Sequence, residues 1–272
     1  HSMTTIAPGG FSTSDASIGH FDSAYMDWIV IIFMILGSLP FVLYFAMIRG
    51  NPRALVRDTQ VQWFLITVVV SIIMIAVWLV TKNDMAMWHA VRLSSFNVVS
   101  IITGTGYASA DYNAWGVLPV TAFFFFMFIG GCAGSTSCGI KIFRYQILFA
   151  NARVQFRRMW QPNVVYSPRY NHKPIPESVT DAVMSFFFMF ALVFGILALA
   201  LTLIGLDFMT AVSGAATAIA NVGPALGSTI GPSGTFAPLP DAAKWVLSIG
   251  MLLGRLELFT VLVLFSPAFW RA

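Results

Sequence analysis

The chain has 272 residues, of which 58% are hydrophobic and 10% are charged, and its formal net charge at pH 7 is +4. A soluble domain carries about 25% charged residues, so this composition excludes an ordinary soluble enzyme and predicts an integral membrane protein. The small positive charge then indicates how the chain is oriented in the membrane, and it is not evidence for binding to nucleic acid.

Long apolar runs predict the membrane-spanning helices, because about 20 apolar residues cross the hydrocarbon core as a helix. Five runs have this character, and they are 25–48 with Pro40 as a kink, 61–81, 118–149, 178–204 and 242–265. Two further segments, 84–102 and 208–220, are shorter or more polar. We expect each of these two to enter the membrane as a helix and to return to the same side.

The basic residues predict the orientation of these helices. Ten of the 15 Lys and Arg residues fall in two connections, and they are Arg49, Arg53, Arg57, Lys141, Arg144, Arg153, Arg157, Arg158, Arg169 and Lys173. Positively charged loops stay in the cytoplasm, and most acidic residues lie in the other connections. The two short helices are therefore expected to enter from outside, and irregular backbone at that depth must be buried in protein or line an aqueous cavity.

A short motif recurs along the chain, each time before a long span. Residues 10–15 read GFSTSD and residues 106–111 read GYASAD, so both give glycine, aromatic, small, hydroxyl, small and acid. A weaker copy, NVGP, occupies residues 221–224. Each repeating unit is a span, a short re-entrant helix, a glycine-containing extended strand and a second span, and such self-similarity indicates a repeat architecture.

This unit has a physical use in ion transport. Glycine allows backbone conformations that a side chain forbids, and carbonyl oxygens of several such strands can replace the hydration shell of a cation, as in potassium filters. The C-terminal, partly negative end of the preceding helix would face the same point.

The segments TTIAPGGFS, TGTGYASAD, GGCAGSTSCGIKIFR, ANVGPALG and MLLGRLELFT together resemble the Trk/Ktr/HKT superfamily of potassium transporters, most closely its bacterial TrkH branch. The resemblance covers essentially the whole chain and implies an all-α integral membrane fold, in which four non-identical units surround one pore. On this basis 1–57 is the end of repeat two, 58–160 is repeat three, and 161–272 is a cytoplasmic connection with repeat four. The chain opens without an initiator Met, and we expect a fragment that cannot by itself close a four-fold filter.

The resemblance implies that backbone carbonyls of Gly10, Gly106 and Gly223 bind potassium. The filter residues expected from it are Gly9, Gly10, Thr105, Gly106, Asn221, Val222 and Gly223. Spacing to the following acid favours Gly10 over Gly9, and the alternative is that these glycines only make turns. Pro8 and Gly104 depart from the family pattern, in which threonine is common at both positions.

Residues 130–139, which we call the gate segment, interrupt the third long span with glycines and hydroxyl residues that make a poor helix. In the TrkH branch the corresponding loop obstructs the pore, which implies a gate formed by Gly130, Gly131, Gly134, Ser135, Thr136, Ser137 and Gly139. The alternative is a close helix–helix contact through small residues.

Charged residues near the expected pore allow two interpretations each. Arg255 is expected to lie near the pore below the filter; the alternatives are pairing with Glu257 or an interfacial position. Lys141 is interpreted as an interfacial anchor, and the alternative is a role in gating. Asp15 and Asp111 either concentrate cations at the pore mouth or cap the helices that follow them.

No GxSxG or HExxH motif and no convincing acid pair supports an intramembrane enzyme. The resemblance implies potassium uptake at the bacterial inner membrane, potassium as the transported ion and no cofactor in this chain. It also implies a homodimer, surrounding membrane lipid and a TrkA-like cytoplasmic nucleotide-binding regulatory ring, and both channel-like and proton- or sodium-coupled flux fit it. The alternatives are a sodium-permeable or mixed cation pathway and a non-conducting membrane scaffold or sensor.

Overall fold

The computed structural model describes residues 1–14, 16–161, 168–171, 173–256, 263 and 269–270. Helices dominate these residues, with one antiparallel hairpin of two-residue strands, β1 Arg169–Tyr170 and β2 Lys173–Pro174. The helices are α1 Ser2–Ile6, α2 Ala24–Gly37, α3 Phe41–Ile48, α4 Arg53–Arg57, α5 Thr59–Lys82, α6 Met87–Thr103, α7 Val117–Phe126, α8 Ile142–Trp160, α9 Glu177–Leu203, α10 Phe208–Ala220 and α11 Asp241–Arg255.

Two of the predicted spans are confirmed as single helices. The 24 residues of α5 and the 27 residues of α9 are long and apolar enough to cross a membrane. Together with the buried short helices described below, they make this an integral membrane protein of the all-α class.

The first predicted span is broken more sharply than a proline kink implies. Helices α2 and α3 meet at an angle of 92°, because Pro40 has no N–H and holds an extended backbone before α3. The Ser38 hydroxyl donates back to the carbonyl of Met34 at 2.9 Å, while the first amide of α3, that of Phe41, donates to Gly134 in the gate segment at 3.0 Å. The chain at this break is therefore hydrogen-bonded to the gate segment.

The interruption of the third predicted span is confirmed, and it is wider than residues 130–139. Helix α7 ends at Phe126 and α8 begins at Ile142, so the non-helical stretch is 127–141. A parallel bridge between Ile129 and Ile140 closes its two ends. The last predicted span is present as α11 up to Arg255, while residues 257–262 and 264–265 of it lie outside the described residues.

The two short helices, α6 and α10, are buried over most of their length. Every residue from 93 to 103 on α6 is buried, and so are residues 213–220 on α10. Helices α2 and α5 pack against α6, whereas α9 and α11 pack against α10. A helix that is covered on all sides belongs to a core, so the helices around α6 and around α10 are each assembled on a short buried helix.

A buried ion pair joins the first unit to α6. The Nε atom of Arg92 donates to a carboxylate oxygen of Asp27 on α2 at 2.6 Å, and a second guanidinium nitrogen donates to Asp22 at 3.2 Å. The side chain of Asp27 is 3% exposed, whereas that of Asp22 is 89% exposed. Most of the attachment therefore depends on Asp27.

Asp27→Ala should lower the free energy of unfolding by about 3–5 kcal/mol, because it leaves the partly buried Arg92 charge without its main partner. Asp22→Ala is the matched control, and we expect it to lower stability by about 1 kcal/mol or less. Thermal unfolding of the purified protein in detergent measures both. Equal shifts for the two variants would contradict the unequal roles of the two carboxylates.

Candidate ion-conduction pathway

Three glycine-containing segments meet at the ends of the short helices, and we call residues 8–11, 104–107 and 221–224 the glycine strands. Gly10, Gly106 and Gly223 all have left-handed backbone, with φ of +61°, +80° and +111°. A Cβ atom built on Gly10 would lie 1.9 Å from the carbonyl oxygen of Thr105, and one built on Gly106 would lie 2.1 Å from that of Val222. Conformation and space therefore both require glycine at positions 10 and 106.

The contact between neighbouring strands is the same in both cases. The α-carbon of one glycine lies against the carbonyl that precedes the next glycine, first from Gly10 to Thr105 and then from Gly106 to Val222. Gly223 has the α-carbon of Gly106 3.6 Å from its Cβ position. Such a repeated relation is what rotation about a common axis produces, so the three strands are arranged as successive units around one centre.

Gly9 has different surroundings from Gly10. The three atoms nearest to a Cβ on Gly9 would belong to Phe11, at 3.4 Å, and to Thr4, at 3.8 Å. The structure therefore places Gly10, as the spacing predicts, in the position equivalent to Gly106. Gly9 occupies the position of Thr105 and Val222, one residue before each glycine.

Each glycine strand is tied to its short helix by an equivalent backbone hydrogen bond. The backbone N–H of the residue that precedes the glycine donates to a carbonyl in the last turn of the helix. The three bonds join Gly9 to Thr4 at 2.8 Å, Thr105 to Ser100 at 2.9 Å, and Val222 to Thr217 at 3.1 Å. The three strands therefore leave their helices in similar geometry although their sequences differ.

The side chains at these acceptor positions also hold the strands, which the sequence analysis missed. The hydroxyl of Thr4 donates to the carbonyl of Phe11 at 3.2 Å, and that of Ser100 donates to Tyr107 at 2.7 Å. In the third copy the hydroxyl of Thr217 instead accepts from the amide of Gly223 at 2.9 Å. A hydroxyl residue stands at this place in all three copies, so extending the repeat alignment into the short helices would have found it.

Tyr107 joins two repeats directly. It is fully buried, and its hydroxyl lies 2.5 Å from the hydroxyl of Thr4 and 3.1 Å from the carbonyl of His1, both at α1. Phe11, the aromatic residue in the first copy of the motif, is 77% exposed. The shared aromatic position therefore has a structural role in only one of these two copies.

Acidic residues outside the strands act as caps. Asp111 accepts a hydrogen bond from the amide of Asn113 at 3.0 Å, so the capping interpretation of this residue is correct. Asp207 accepts from the amide of Thr210 at 3.1 Å at the start of α10, and hydrogen bonds from the side chain and backbone of Thr210 hold its pKa below the ordinary value. Asp15 lies outside the described residues.

The gate segment reaches the inner ends of two glycine strands. A Cβ on Gly104 would lie 3.1 Å from the Cβ of Cys138, so the segment is in contact with the end of α6. The hydroxyl of Thr136 lies within hydrogen-bond distance of the carbonyls of Ile6, at 3.0 Å, and Gly37, at 2.9 Å. The segment is thus packed against the start of the strands that carry Gly10 and Gly106.

Hydrogen bonds within the gate segment give it a defined shape. The amide of Gly130 donates to Ile140 at 2.9 Å, and the amide of Gly131 donates to the hydroxyl of Ser137 at 2.7 Å. A Cβ on Gly131 would lie 2.8 Å from Ser137. Gly134 and Gly139 have φ of +75° and +74°, while the hydroxyl of Ser135 donates to Cys132 at 2.6 Å. This is a folded loop, so the alternative of a close helix–helix contact is wrong.

Gln60, near the start of α5, anchors the gate segment, and no sequence signal indicated it. Its side-chain oxygen accepts from the amide of Ala133 at 2.8 Å. Tyr170 of the β1–β2 hairpin lies near the Gln60 side chain, and burial raises the pKa of Tyr170 to about 12. Asn171 of the same hairpin donates to Asp58 at 3.0 Å, so the hairpin, the start of α5 and the gate segment form one connected network.

A cavity of about 230 Å³ lies beside the gate segment, between it and helices α9, α10 and α11. Its lining includes residues 135–139 and three cationic side chains, those of Lys141, Arg144 and Arg255. Arg255 contacts the sulfur atom of Cys138. Lys141, which we interpreted as an interfacial anchor, instead donates to the carbonyls of Ser137 and Ser135.

The approach of α11 to α10 explains how Arg255 reaches this cavity. A Cβ on Gly254 would lie 1.9 Å from the carbonyl of Ile219, so only glycine permits the contact. The side chain of Asn221, at the end of α10, donates to the carbonyl of Met251 at 3.0 Å. Arg255 is therefore held beside the gate segment as expected, while its alternative partner Glu257 lies outside the described residues.

The chain is similar to known transport proteins over its whole length. Residues 1–272 match the model of the TrkH family, described as a cation transport protein. The Trk system potassium uptake protein TrkI of Halomonas elongata is 51% identical over 272 residues, which are 100% of this chain and 55% of that protein. The Trk system potassium uptake protein TrkH of Escherichia coli K12 is 37% identical over 275 residues, which are 100% of this chain and 56% of that protein.

The fold is also that of a solved structure. The crystal structure of the potassium transporter TrkH from Vibrio parahaemolyticus superimposes with a TM-score of 0.92 and 35% sequence identity. The match covers 99% of this chain and 58% of that one. The chain therefore spans little more than half the length of the relatives that it matches.

Gly10→Ala should destabilise the protein by about 2 kcal/mol or more, because alanine at positive φ is strained and its Cβ would meet the Thr105 carbonyl. Gly9→Ala is the matched control. Its nearest neighbours would be 3.4 Å away, and we expect a change within about 1 kcal/mol. Thermal unfolding in detergent compares the two, and a Gly9→Ala loss as large as that of Gly10→Ala would contradict the assignment of Gly10.

Proposed function

The chain belongs to the TrkH family of cation transport proteins, and from this premise we propose that it contributes three of four filter strands to a potassium uptake pathway across the bacterial inner membrane. The observation that carries the proposal is the succession of contacts from the strand of Gly10 to that of Gly106, and from the strand of Gly106 to that of Gly223. The relatives named above are potassium uptake proteins, which are transport proteins and not enzymes.

The filter would work through backbone oxygen atoms. Potassium is the transported ion in this proposal, and carbonyls of Gly10, Gly106 and Gly223 replace its hydration shell, with Gly9, Thr105, Asn221 and Val222 as neighbouring positions. The C-terminal ends of α6 and α10 carry partial negative charge toward these strands. Equivalent ties to the short helices support this role, because a filter needs its oxygen atoms held at matched positions.

The gate segment would control flow below the filter. Contacts of Cys138 with Gly104, and of Thr136 with Ile6, support this position. The positive charges of Lys141, Arg144 and Arg255 raise the electrostatic potential in the adjoining cavity, which opposes a cation there while the segment is in place. Displacing the segment and its attached charges would then open the pathway.

The repeat organisation and the partners are part of the proposal. We assign residues 1–57 to the end of repeat two, 58–160 to repeat three and 161–272 to the cytoplasmic connection and repeat four. The relatives are named as members of a Trk system, which supports assembly with other components. We propose a homodimer surrounded by membrane lipid, with a TrkA-like nucleotide-binding ring on the cytoplasmic side.

Gly106→Ser should reduce the preference for rubidium and potassium over sodium about tenfold, because the side chain would separate two strands and strain of this kind costs about 1–3 kcal/mol. Gly195→Ser is the control, since its Cβ would have no neighbour within 4 Å. The measurement is rubidium and sodium uptake by the full-length protein in cells that lack their own potassium transporters.

Unchanged selectivity in a membrane-inserted Gly106→Ser variant would contradict the filter. Sodium uptake as large as rubidium uptake in the unsubstituted protein would favour a mixed cation pathway. If no rubidium uptake occurs even when the TrkA-like regulatory protein is co-expressed, the result would favour a non-conducting membrane scaffold.

Gln60→Leu should increase basal rubidium uptake about fivefold, because it removes a buried hydrogen bond that is worth about 1 kcal/mol to the closed loop. Selectivity should stay the same, since the glycine strands are not touched. Gln62→Leu is the matched control, because Gln62 lies on the same helix and donates to Val56. Equal uptake by the Gln60→Leu variant and the unsubstituted protein would contradict the gate.

A further inference from the structure

An open groove lies between α5 and the cytoplasmic end of α8, away from the glycine strands and the gate segment. The cavity within it measures about 770 Å³. Four aromatic and two basic side chains are among those that line it, namely Trp63, Phe149, Phe156, Trp160, Arg153 and Arg157. Trp63 supplies the α5 wall, with its ring centroid 5.9 Å from that of Phe149.

The α8 wall of the groove is one face of a helix. Phe149, Arg153, Phe156 and Trp160 follow one another at intervals of three or four residues, so their side chains lie along the same side. Phe149 is 54%, Phe156 is 72% and Trp160 is 91% exposed. Large aromatic groups alternating with arginine on an exposed helix face are typical of a helix that lies at a membrane surface.

The groove lies at the level of the cytoplasmic headgroups. Trp63 is in the second turn of α5, and the chain that leads into this helix carries Arg49, Arg53 and Arg57, so this end is on the cytoplasmic side. Tryptophan is enriched at the membrane–water interface, where its ring contacts acyl chains and its N–H contacts water or headgroups. The aromatic wall is therefore at the depth of the upper acyl chains, and the arginines are nearer the water.

We propose that this groove binds one anionic phospholipid of the cytoplasmic leaflet. Arg153 and Arg157 hold its phosphate, because guanidinium groups bind phosphate oxygens through two parallel hydrogen bonds. The acyl chains lie against Trp63, Phe149 and Phe156. The negative charge of that leaflet complements the groove, and the site does not depend on the proposed filter or gate.

A neighbouring cavity extends the basic part of the site. It measures about 260 Å³ and shares Trp63, Phe149 and Arg153 with the groove. Arg169 and Tyr170 of the cytoplasmic hairpin add to its lining. A headgroup larger than a bare phosphate would thus meet a third arginine, so the site favours lipids with an anionic headgroup over zwitterionic ones.

Native mass spectrometry of the full-length protein tests the site by titration with phosphatidylglycerol and, separately, with phosphatidylcholine. Arg153→Gln should weaken phosphatidylglycerol binding about fivefold, because each arginine near an anionic lipid adds about that factor to the affinity. The Arg153→Gln, Arg157→Gln double variant should therefore weaken it about 25-fold. Phosphatidylcholine should bind more weakly and change little. Arg158→Gln is the matched control, because it removes the same charge from the opposite face of α8.

A second variant tests the apolar wall. Phe156→Ser should weaken both lipids to a similar degree, because it removes acyl-chain contact and leaves the charges intact. Positions 153, 156, 157 and 158 are all exposed, so the unfolding temperature should stay the same in every variant.

Three results would overturn the proposal. Arg158→Gln could weaken phosphatidylglycerol binding as much as Arg153→Gln, which would mean a diffuse charge effect. The double variant could retain phosphatidylglycerol with unchanged affinity. It could also alter the oligomeric mass or the binding of a soluble partner with lipid binding unchanged, which would assign the groove to a protein.

Discussion

The close contact between the glycine strands is the constraint on which the rest of this structure depends. At Gly10 and Gly106 the backbone of one strand lies so near the carbonyl of the next that no Cβ atom fits. Extended backbone of this kind leaves polar groups without regular partners, and the hydrocarbon core offers no water to satisfy them. Each strand must therefore be enclosed by protein and attached to it at defined points.

The short helices meet this requirement. Their last turns accept the amide of the residue that precedes each glycine, and in α6 and α10 these turns are buried. Thr4, Ser100 and Thr217 add a side-chain bond at the same place. On the outer side, the ion pair between Arg92 and Asp27 holds α6 against the preceding unit. The geometry of these strands is thus determined by helices that, in α6 and α10, are buried in protein over most of their length.

The gate segment, which lies beside the glycine strands, is subject to the same requirement that irregular backbone be hydrogen-bonded within the protein. Its irregular backbone is satisfied by partners from several units, such as Ser38 at the break before α3 and Gln60 at the start of α5. Asn171 of the β1–β2 hairpin donates to Asp58, two residues before Gln60, so the gate segment is also linked to the hairpin through the start of α5. A folded loop that is held in place by bonds to several other elements can be repositioned when those elements move, which is the property that the proposed gate requires.

Local sequence determined the elements of this protein. Apolar length predicts α5 and α9, polarity and length predict the two re-entrant helices, and self-similarity predicts the glycine positions, because each depends on residues close together in the chain. Tertiary structure alone decided the 92° break at Pro40, the attachment of the gate segment to Gln60, and the direction of Lys141 and Arg255 into one cavity. These features depend on how the units are rotated against one another, and that rotation is determined by packing between residues that are far apart in sequence.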